Sequence, residues 1–212
     1  MSPRNTSLTM VLATGNAGKV KDFQLLLEAS PLDIDLKSMQ SFGGMPEVHE
    51  SETTFAGNAH LKALAARSKL PTHSAFWVLA DDSGLSVDAL DGAPGVQSAR
   101  FAGEHATDAE NREKLLSKLQ GVEGALRRAF FTCHLCLIAP DGTRYDFVGK
   151  RVGHIANAAK GSRGFGYDSL FIPEGETQTW GELPESTKNA HSHRGNAVQQ
   201  MLDWLSSVTP PQ

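Results

Sequence analysis

An α/β fold, a mixed β-sheet with helices packed against it, is the class that the hydrophobic pattern of this chain predicts. Apolar runs of strand length alternate with amphipathic helical patterns through the first half of the chain. Further along, Pro140-Asp141-Gly142 separates two strand-like runs and predicts a hairpin. These observations leave an α/β and an α+β arrangement open, and in both of them the helices bury their apolar faces on the sheet.

The first elements are predicted from apolar spacing and from prolines that end each helix. Thr9–Ala13 is a short apolar run and therefore a buried strand. After the loop Thr14–Gly18, a helix continues towards Pro31, with one face formed by Val20, Phe23, Leu26 and Leu27. The second helix spans about Thr54–Lys69 and is closed by Pro71. Its register is carried by Phe55, Ala59, Ala63 and Ala66.

The later elements are predicted from turn residues and helix caps. Phe76–Ala80 is a strand that we expect to end at Asp81-Asp82-Ser83-Gly84, because aspartate, serine and glycine favour turns. Thr107 and Glu110 form a capping-box pair that begins a helix through Leu119. The remaining predictions are strands at residues 130–139, 143–148, 151–155 and 170–172, and a last helix at about 195–205.

Composition and charge exclude several classes of protein. The 212 residues are 40% hydrophobic and 21% charged, as in an ordinary globular domain. The net charge of −4 gives no footprint for bulk nucleic-acid or anionic-membrane binding. Residues 1–6 lack a signal-peptide core, and no apolar run approaches the ~20 residues of a membrane helix. We therefore expect one cytoplasmic domain over residues 1–212, with its core at about 8–205 and neither nucleic acid nor membrane as partner.

The cysteines Cys133 and Cys136 have the CxxC spacing of metal and redox sites. They lie in a strand-like run, where positions three apart point to opposite faces. No second cysteine pair completes a zinc site. We expect buried, inert thiols.

The segment Thr14–Lys19 has the features of a phosphate-binding loop. Glycines allow a close approach of the backbone, and a helix start offers N–H groups and the positive end of a dipole. Lys19 adds a positive charge. The segment is shorter than a P-loop. Taken alone, it is equally typical of an ordinary strand-to-helix turn with a surface lysine.

Acidic residues lie at two places in the chain. Asp81 and Asp82 follow an apolar run, and neighbouring carboxylates repel one another unless a cation or a donor is present. Mg²⁺ prefers such oxygen ligands, and one carboxylate is able to accept a proton from water. A turn role is the alternative. Glu47, Glu50 and Glu52 precede the second helix, and the helix dipole alone explains at least two of them.

Two further clusters suggest recognition of a planar, polar ligand. In Gly164-Phe165-Gly166-Tyr167-Asp168, an aromatic ring between glycines is able to stack on a base, and a carboxylate is able to accept base N–H groups. A glycine-rich turn with core aromatics is the alternative. Lys188 and Ser192-His193-Arg194 gather cations and donors before the last helix, where Ser192 is a natural cap.

Together and in this order, these segments resemble the inosine triphosphate pyrophosphatase family, hydrolases of non-canonical purine triphosphates. The resemblance covers about residues 10–205, and its ordered set of motifs is specific although each motif alone is weak. The matching text is Leu12–Lys19, Thr54-Phe55, Asn58-Ala59, Ala80–Leu85, Gly92–Val96, Ser98–Arg100, Gly164–Asp168, Lys188 and Ser192–Arg194.

The resemblance implies a fold, a reaction and a set of site residues. It implies an elongated central sheet, two lobes with an active-site cleft between them, and usually a homodimer. It implies Mg²⁺-dependent hydrolysis of ITP, dITP or XTP to the monophosphate and pyrophosphate. Asp82 matches the catalytic carboxylate and, with Glu50, the metal ligands. The matching substrate-binding residues are Thr14, Gly15, Asn16, Ala17, Gly18, Lys19, Ser83, Phe165, Gly166, Tyr167, Asp168, Lys188, His193 and Arg194.

The chain departs from the family pattern at three positions. His49-Glu50 replaces an acidic pair, so Glu50 is the expected second ligand. Gly57 stands where a glutamate is usual, and Ser169 replaces a proline. A pyrophosphatase of modified pyrimidine triphosphates and a nucleotide sensor without hydrolysis are the alternative functions, and a nucleic-acid-binding protein is disfavoured by the acidic balance.

Overall fold

The structure, a computed structural model, describes residues 8–208, apart from the side chains of residues 189 and 190. Its strands are β1 Leu8–Leu12, β2 Ile34–Ser38, β3 Trp77–Val87, β4 Arg128–Ile138, β5 Arg144–Ile155 and β6 Phe171–Pro173. Its helices are α1 Ala17–Glu28, α2 Phe55–Lys69, α3 Asp108–Lys118, α4 Glu185–His191 and α5 His193–Val208. None of the helices in this part of the chain has the length and apolarity needed to cross a membrane.

The strands form one mixed sheet in the order β2-β1-β3-β4-β5-β6. β1 pairs in parallel with both β2 and β3, whereas β6 pairs antiparallel with β5. This confirms the predicted α/β class with a mixed sheet and helices. Residues 139–143 join the neighbouring strands β4 and β5, and the Gly142 N–H donates to the Ala139 carbonyl at 2.9 Å, as the predicted hairpin turn requires.

Side-chain caps fix the starts of α1, α2 and α3, and the sequence had indicated the cap of α3. The Thr107 hydroxyl accepts the Glu110 N–H at 3.3 Å, and the Glu110 carboxylate accepts the Thr107 N–H at 2.7 Å. This is the predicted capping box of α3. The Thr54 hydroxyl caps α2 through the Gly57 N–H at 3.1 Å. The Asn16 side chain caps α1, which begins at Ala17, inside the segment predicted as a loop.

Two strand predictions were wrong at their ends. β3 continues through Asp81–Gly84 to Val87, so the predicted turn after residue 80 does not occur. The residues after it, Leu85 and Val87, are fully buried, and this burial outweighs the turn preference of the polar segment. The predicted strands 143–148 and 151–155 are one strand, β5. β2 and α4 were not predicted, and β2 is a short strand with alternating polar residues.

Contacts divide the chain into two compact units. Unit 1 contains residues 8–82, 134–148 and 197–208 of the described part, and unit 2 contains residues 83–133 and 149–196. In unit 1, the small residues Ala59, Ala63 and Ala66 of α2 pack against Val78 and Ala80 of β3. In unit 2, the core is mainly leucines and large aromatic side chains, including Phe131, Phe171 and Trp180. Each unit therefore buries a core of its own.

The cysteine prediction is confirmed as far as burial is concerned. Cys133 and Cys136 are both buried and neither forms a disulfide. Burial raises the pKa of the Cys136 thiol to about 12, although the Arg144 charge opposes the rise. A thiol with this pKa is almost entirely protonated at neutral pH and is a poor nucleophile.

Candidate functional site

The two aspartates of β3 are directed to opposite faces of the sheet, because side chains alternate along a strand. Asp81 forms an ion pair with Lys19 of α1 at 3.0 Å, and Asp82 forms one with Lys62 of α2 at 2.7 Å. Asp82 thus continues the series Val78 and Ala80, which packs against α2. Both aspartates are buried, at 1% and 5% exposure. The two carboxylates are therefore a pair in sequence only, and each has its own lysine.

Lys62 connects Asp82 with the acidic segment before α2. Its ammonium nitrogen lies 2.7 Å from Asp82 Oδ1 and 3.0 Å from Glu50 Oε1. Sequence reasoning missed this residue. A signal was present, because position 62 lies at helical spacing from Ala59 and Ala66, on the buried alanine face of α2. A lysine at the edge of such a face needs an acidic partner.

Burial is the main influence on the protonation of this cluster. It raises the pKa of Asp82, and Glu50 adds to the rise, while Lys62 and then Lys19 oppose it. Burial alone would lower the pKa of Lys62, but Asp82 and then Glu50 outweigh it, so the pKa is raised. Lys62 therefore stays charged at neutral pH. A carboxylate with a raised proton affinity is better suited to accept a proton than an ordinary aspartate.

The donor set of Asp82 and Glu50 fits a hard cation such as Mg²⁺. Asp82 Oδ2 is buried and has no hydrogen-bond partner within residues 8–208. Glu50 lies at the same ammonium group as Asp82. In the described part of the chain, no three His, Cys, Asp or Glu side chains form a complete metal cage. Mg²⁺ commonly uses one or two carboxylates and completes its shell with water and phosphate oxygens.

The segment that carries Glu50 is fixed by Asn58, a fully buried residue of α2. The Asn58 side chain accepts the Glu52 N–H at 3.1 Å and donates to the Glu52 carbonyl at 3.3 Å. Glu52 also passes so close to Gly57 that a Cβ there would lie 2.6 Å from the Glu52 Cβ. The glycine that departs from the family pattern therefore has a steric reason in this chain.

The segment Thr14–Lys19 forms a compact, partly exposed turn at the start of α1. The Thr14 hydroxyl accepts the Asn16 N–H at 3.1 Å, and Asn16 Oδ1 accepts the Lys19 N–H at 3.1 Å. Gly15, Asn16 and Ala17 are exposed. The Lys19 ammonium group is held at Asp81. The structure thus places Lys19, Glu50 and Asp82 in unit 1 around β3, together with Lys62, which was not predicted.

A second cluster lies in unit 2 and contains the predicted residues after 164. Lys188 forms a buried ion pair of 2.5 Å with Asp168, whose Oδ2 also accepts the Phe165 N–H at 2.9 Å. The Lys188 ammonium group lies 5.1 Å from the centre of the Phe165 ring, and the Arg194 guanidinium carbon lies 5.9 Å from it. These distances suit cation–π attraction. The ring of Phe165 is therefore held beside two cations.

Gly164 is required by this arrangement. Its φ of +76° disfavours other residues, and a Cβ would lie 2.0 Å from Asp168 Oδ2. The carboxylate of Asp168 thus occupies the space that a side chain at position 164 would need. Tyr167 was predicted as a substrate contact. Its hydroxyl donates a hydrogen bond to the Ser98 carbonyl at 2.9 Å, and its ring lies in the core of unit 2.

His193 and Arg194 begin α5, where the Ser192 hydroxyl accepts the Gly195 N–H at 2.9 Å, as predicted for a cap. The His193 ring stacks on Phe131 at 4.8 Å with an interplanar angle of 13°. Both His193 and Arg194 are at most 4% exposed. Buried donors in fixed orientations discriminate strongly between ligands that match them and ligands that do not.

Comparisons with known proteins agree with these features. The Ham1 family model matches residues 10–204. A dITP/XTP pyrophosphatase of Opitutus terrae is 46% identical over 197 residues, covering 91% of this chain and 96% of the relative. One of Geobacter sulfurreducens is 45% identical over 198 residues, covering 92% of this chain and 96% of the relative.

Solved structures agree with the sequence relatives. A HAM1 protein from Coxiella burnetii has a TM-score of 0.82 at 37% identity, covering 95% of this chain and 100% of that one. The Staphylococcus aureus Ham1 protein has a TM-score of 0.80 at 37% identity, covering 94% and 98%. The chain therefore belongs to the Ham1 family, in agreement with the resemblance of its motifs.

Proposed function

We propose that this protein hydrolyses the non-canonical purine triphosphates ITP, dITP and XTP to the monophosphate and pyrophosphate. Relatives that cover nearly the whole chain carry the name dITP/XTP pyrophosphatase. The observation that carries the proposal is the Lys62-bridged pair Asp82 and Glu50, with one buried Asp82 oxygen that accepts no hydrogen bond within residues 8–208. A carboxylate of this kind suits phosphoanhydride hydrolysis.

Asp82 is the proposed catalytic base. Its raised pKa favours removal of a proton from the attacking water, and its hydrogen bond with Lys62 fixes one carboxylate oxygen. Asp82 and Glu50 would hold Mg²⁺, which supplies charge neutralisation to the phosphate chain when bound. Ser83, next to Asp82 in β3, is a proposed substrate contact.

The phosphate chain is proposed to bind at Thr14, Gly15, Asn16, Ala17, Gly18 and Lys19. The start of α1 presents backbone N–H groups and the positive end of the helix dipole there. Lys19 contributes a full charge while its ammonium group stays near Asp81. These groups stabilise the negative charge that develops on the departing pyrophosphate.

The base is proposed to be recognised by Phe165, Gly166, Asp168, Lys188, His193 and Arg194, and Tyr167, whose ring lies in the core, is proposed to contribute through its place in the same loop. Hypoxanthine and xanthine present a 6-oxo acceptor, whereas adenine presents a 6-amino donor. Donors of His193 and Arg194 match the oxo group, and each buried mismatch with adenine costs roughly 1–3 kcal/mol. Several mismatches together would reject ATP strongly.

A pyrophosphate-release panel tests this function directly. Purified protein with Mg²⁺ is assayed with ITP, XTP, dITP, the four common ribonucleotides and a modified pyrimidine triphosphate, and the products are identified. We expect monophosphate and pyrophosphate from the inosine and xanthosine nucleotides, with much lower kcat/KM for ATP. Equal kcat/KM for ITP and ATP would refute the proposed selectivity, and binding without turnover would indicate a sensor.

The resemblance also suggests a homodimer in the cytoplasm, which we include in the proposal. Sedimentation equilibrium of the purified protein tests the assembly. A mass of twice the 22.8 kDa chain is the expected result, and the mass of a single chain is the contrary one.

A further inference from the structure

Helix α3 of unit 2 holds both backbone groups of Gly166. Asp108 Oδ2 accepts the Gly166 N–H at 2.7 Å, and Arg112 Nη1 donates to the Gly166 carbonyl at 2.8 Å. The two side chains are four residues apart and therefore lie on the same helix face. Both contacts involve a charged group, which makes them stronger than bonds between neutral groups.

The same loop is supported from a second direction. The Tyr167 hydroxyl donates to the Ser98 carbonyl at 2.9 Å, and Ser98 Oγ accepts the Leu85 N–H of β3 at 2.9 Å. Burial, and then the Asp108 charge, raise the pKa of Tyr167, so its hydroxyl keeps its proton. Ser98 of the Ser98–Arg100 motif, which the proposed reaction does not use, therefore supports the loop through Tyr167.

The loop fixed in this way carries Phe165 and Asp168 on either side of Gly166 and Tyr167. Asp168 is connected to Lys188, and Phe165 lies beside Lys188 and Arg194. A shift of Gly166 would thus move the aromatic ring and the carboxylate together. We infer that Asp108 and Arg112 are positioning residues that set base recognition, an inference that rests on the proposed function.

Their exposure separates positioning from a purely structural role. Asp108 is exposed and Arg112 is half-buried, and neither belongs to the aromatic core of unit 2. Truncating them leaves no large cavity, so the protein should fold with little loss of stability. The loop that they hold should nevertheless lose its fixed position, and small displacements of binding groups reduce turnover strongly.

The test compares truncated variants with conservative ones at both positions. Asp108→Ala and Arg112→Met remove the contacts, whereas Asp108→Asn and Arg112→Lys retain an acceptor or a donor. Glu113→Ala and Lys118→Met change exposed charges elsewhere on α3 and are the matched controls. The assay measures kcat and KM for ITP and for ATP, together with the melting temperature of each variant.

We expect Asp108→Ala and Arg112→Met to lower the ITP-to-ATP ratio of kcat/KM by about tenfold, mainly through a higher KM for ITP. The conservative variants should regain most of the ratio, and the controls should keep it. An unchanged ratio in both truncated variants, or an equal fall in the controls, overturns the inference. If one truncated variant fails to fold, the ratio in the remaining truncated variant, compared with Asp108→Asn and Arg112→Lys, tests the inference.

The outcomes separate this inference from the proposed function. Wild-type protein that releases no pyrophosphate from any inosine or xanthosine nucleotide refutes the proposed function and, with it, the inference. Wild-type protein that prefers ITP, together with truncated variants of unchanged preference, refutes the inference alone.

Discussion

The charge clusters of the two units differ in how their charges are compensated. In unit 1, Glu50 and Asp82 share the ammonium group of Lys62, and Asp81 pairs with Lys19. In unit 2, Lys188 pairs with Asp168, and both Lys188 and Arg194 lie beside the ring of Phe165. The packing also differs, with small aliphatic residues around the first cluster and stacked aromatic rings around the second.

This difference indicates how each cluster treats an anionic nucleotide. The carboxylates of Asp82 and Glu50 repel a polyphosphate unless a cation accompanies it. This repulsion supports the proposed use of Mg²⁺, as does the donor set. The cluster of unit 2 offers a flat aromatic ring and buried donors, which suit a planar base with acceptor oxygens.

The largest expected effect follows from removing the proposed catalytic base, Asp82. Asp82→Asn keeps the size of the side chain and the contact to Lys62, but removes the carboxylate that accepts a proton. General acid–base catalysis contributes about 10²–10⁴-fold, so we expect kcat for ITP to fall by about that factor. Steady-state pyrophosphate release measures the fall, with Asp35→Asn on the exposed edge of unit 1 as the control.

This prediction depends on an intact fold in the variant. Circular dichroism and the melting temperature of Asp82→Asn should therefore match those of the wild type closely. Turnover of Asp82→Asn at the wild-type rate would remove Asp82 from the mechanism and would make the Lys62-bridged acids a structural feature only.

A second prediction concerns the lysine that bridges the acids. Lys62→Met leaves Asp82 and Glu50 close together with no ammonium group between them, and removal of one partner of a buried pair costs about 3–5 kcal/mol. Since Lys62 is slightly exposed, we expect about 3 kcal/mol or less in the free energy of unfolding, measured with urea. Mg²⁺ should restore more stability in this variant than in wild-type protein.

The contrary result for Lys62 is informative. If Mg²⁺ raises the stability of Lys62→Met no more than that of the wild type, Asp82 and Glu50 do not hold the cation together. Lys37→Met, which removes a lysine from the exposed Asp35 pair of unit 1, is the matched control and should change neither stability nor the response to Mg²⁺ appreciably.

The helix caps and the strand β3 show which features the sequence can predict and which it cannot. The cap Thr107 was predicted because its partner lies three residues away in the chain, and the Thr54 cap, which was not predicted, has the same spacing. The path of β3 was not predictable, because Asp81 and Asp82 are kept in a buried strand by partners that are distant in sequence. Lys19 is 62 positions from Asp81, and Lys62 is 20 positions from Asp82. Local preferences carry no information on such partners.

The site residues were found in a different way. Asp82, Lys19 and Lys188 were identified because the order of the motifs resembles a known family, and the structure then gave each of them a partner. Lys62 and Asn58 act through spatial contacts with Glu50 and Glu52, and no short motif showed those contacts. Arg112 was missed for the same reason, because its contact, Gly166, is 54 positions away.

A third prediction concerns the cluster of unit 2. Gly164→Ala places a methyl group on Asp168 Oδ2 and forces a positive φ on alanine. We expect the ion pair between Asp168 and Lys188 to break. The KM for ITP should then rise about tenfold or more, because contacts to the nucleobase are lost. Gly175→Ala is the control, since Gly175 has a φ of +88° and nothing within 4 Å of a new Cβ.

The control distinguishes strain from displacement. Both alanine variants should lose about 1–2 kcal/mol of stability through the unfavourable backbone conformation, and the variant at position 164 should lose more because its buried ion pair is disrupted. Only the variant at position 164 should also change the KM for ITP. If the two variants bind ITP equally well, the Asp168–Lys188 pair does not contribute to recognition, and the contrast between the two clusters loses its functional meaning.

The smallest expected effect concerns Asp146, an exposed residue of unit 1. Replacing it tests whether an ion pair away from the β3 cluster stabilises the fold. Asp146 accepts from Arg144 at 2.7 Å and contacts His134 at 2.8 Å. Burial would raise the pKa of Asp146, but the Arg144 and His134 contacts outweigh it and lower the pKa. Because the folded pKa lies below the unfolded one, the stabilisation is complete above the unfolded pKa and is lost as the pH falls through the folded pKa.

Asp146→Asn should therefore be less stable than wild-type protein near neutral pH, and the two should converge in acid below the ordinary aspartate pKa of about 4. Since Asp146 is about one-third exposed, the difference should be no more than about 1 kcal/mol. Urea unfolding at a series of pH values measures it. A constant difference at every pH would mean that the lost stability comes from packing and not from charge. Unchanged turnover of ITP in this variant would show that this exposed ion pair does not contribute to catalysis.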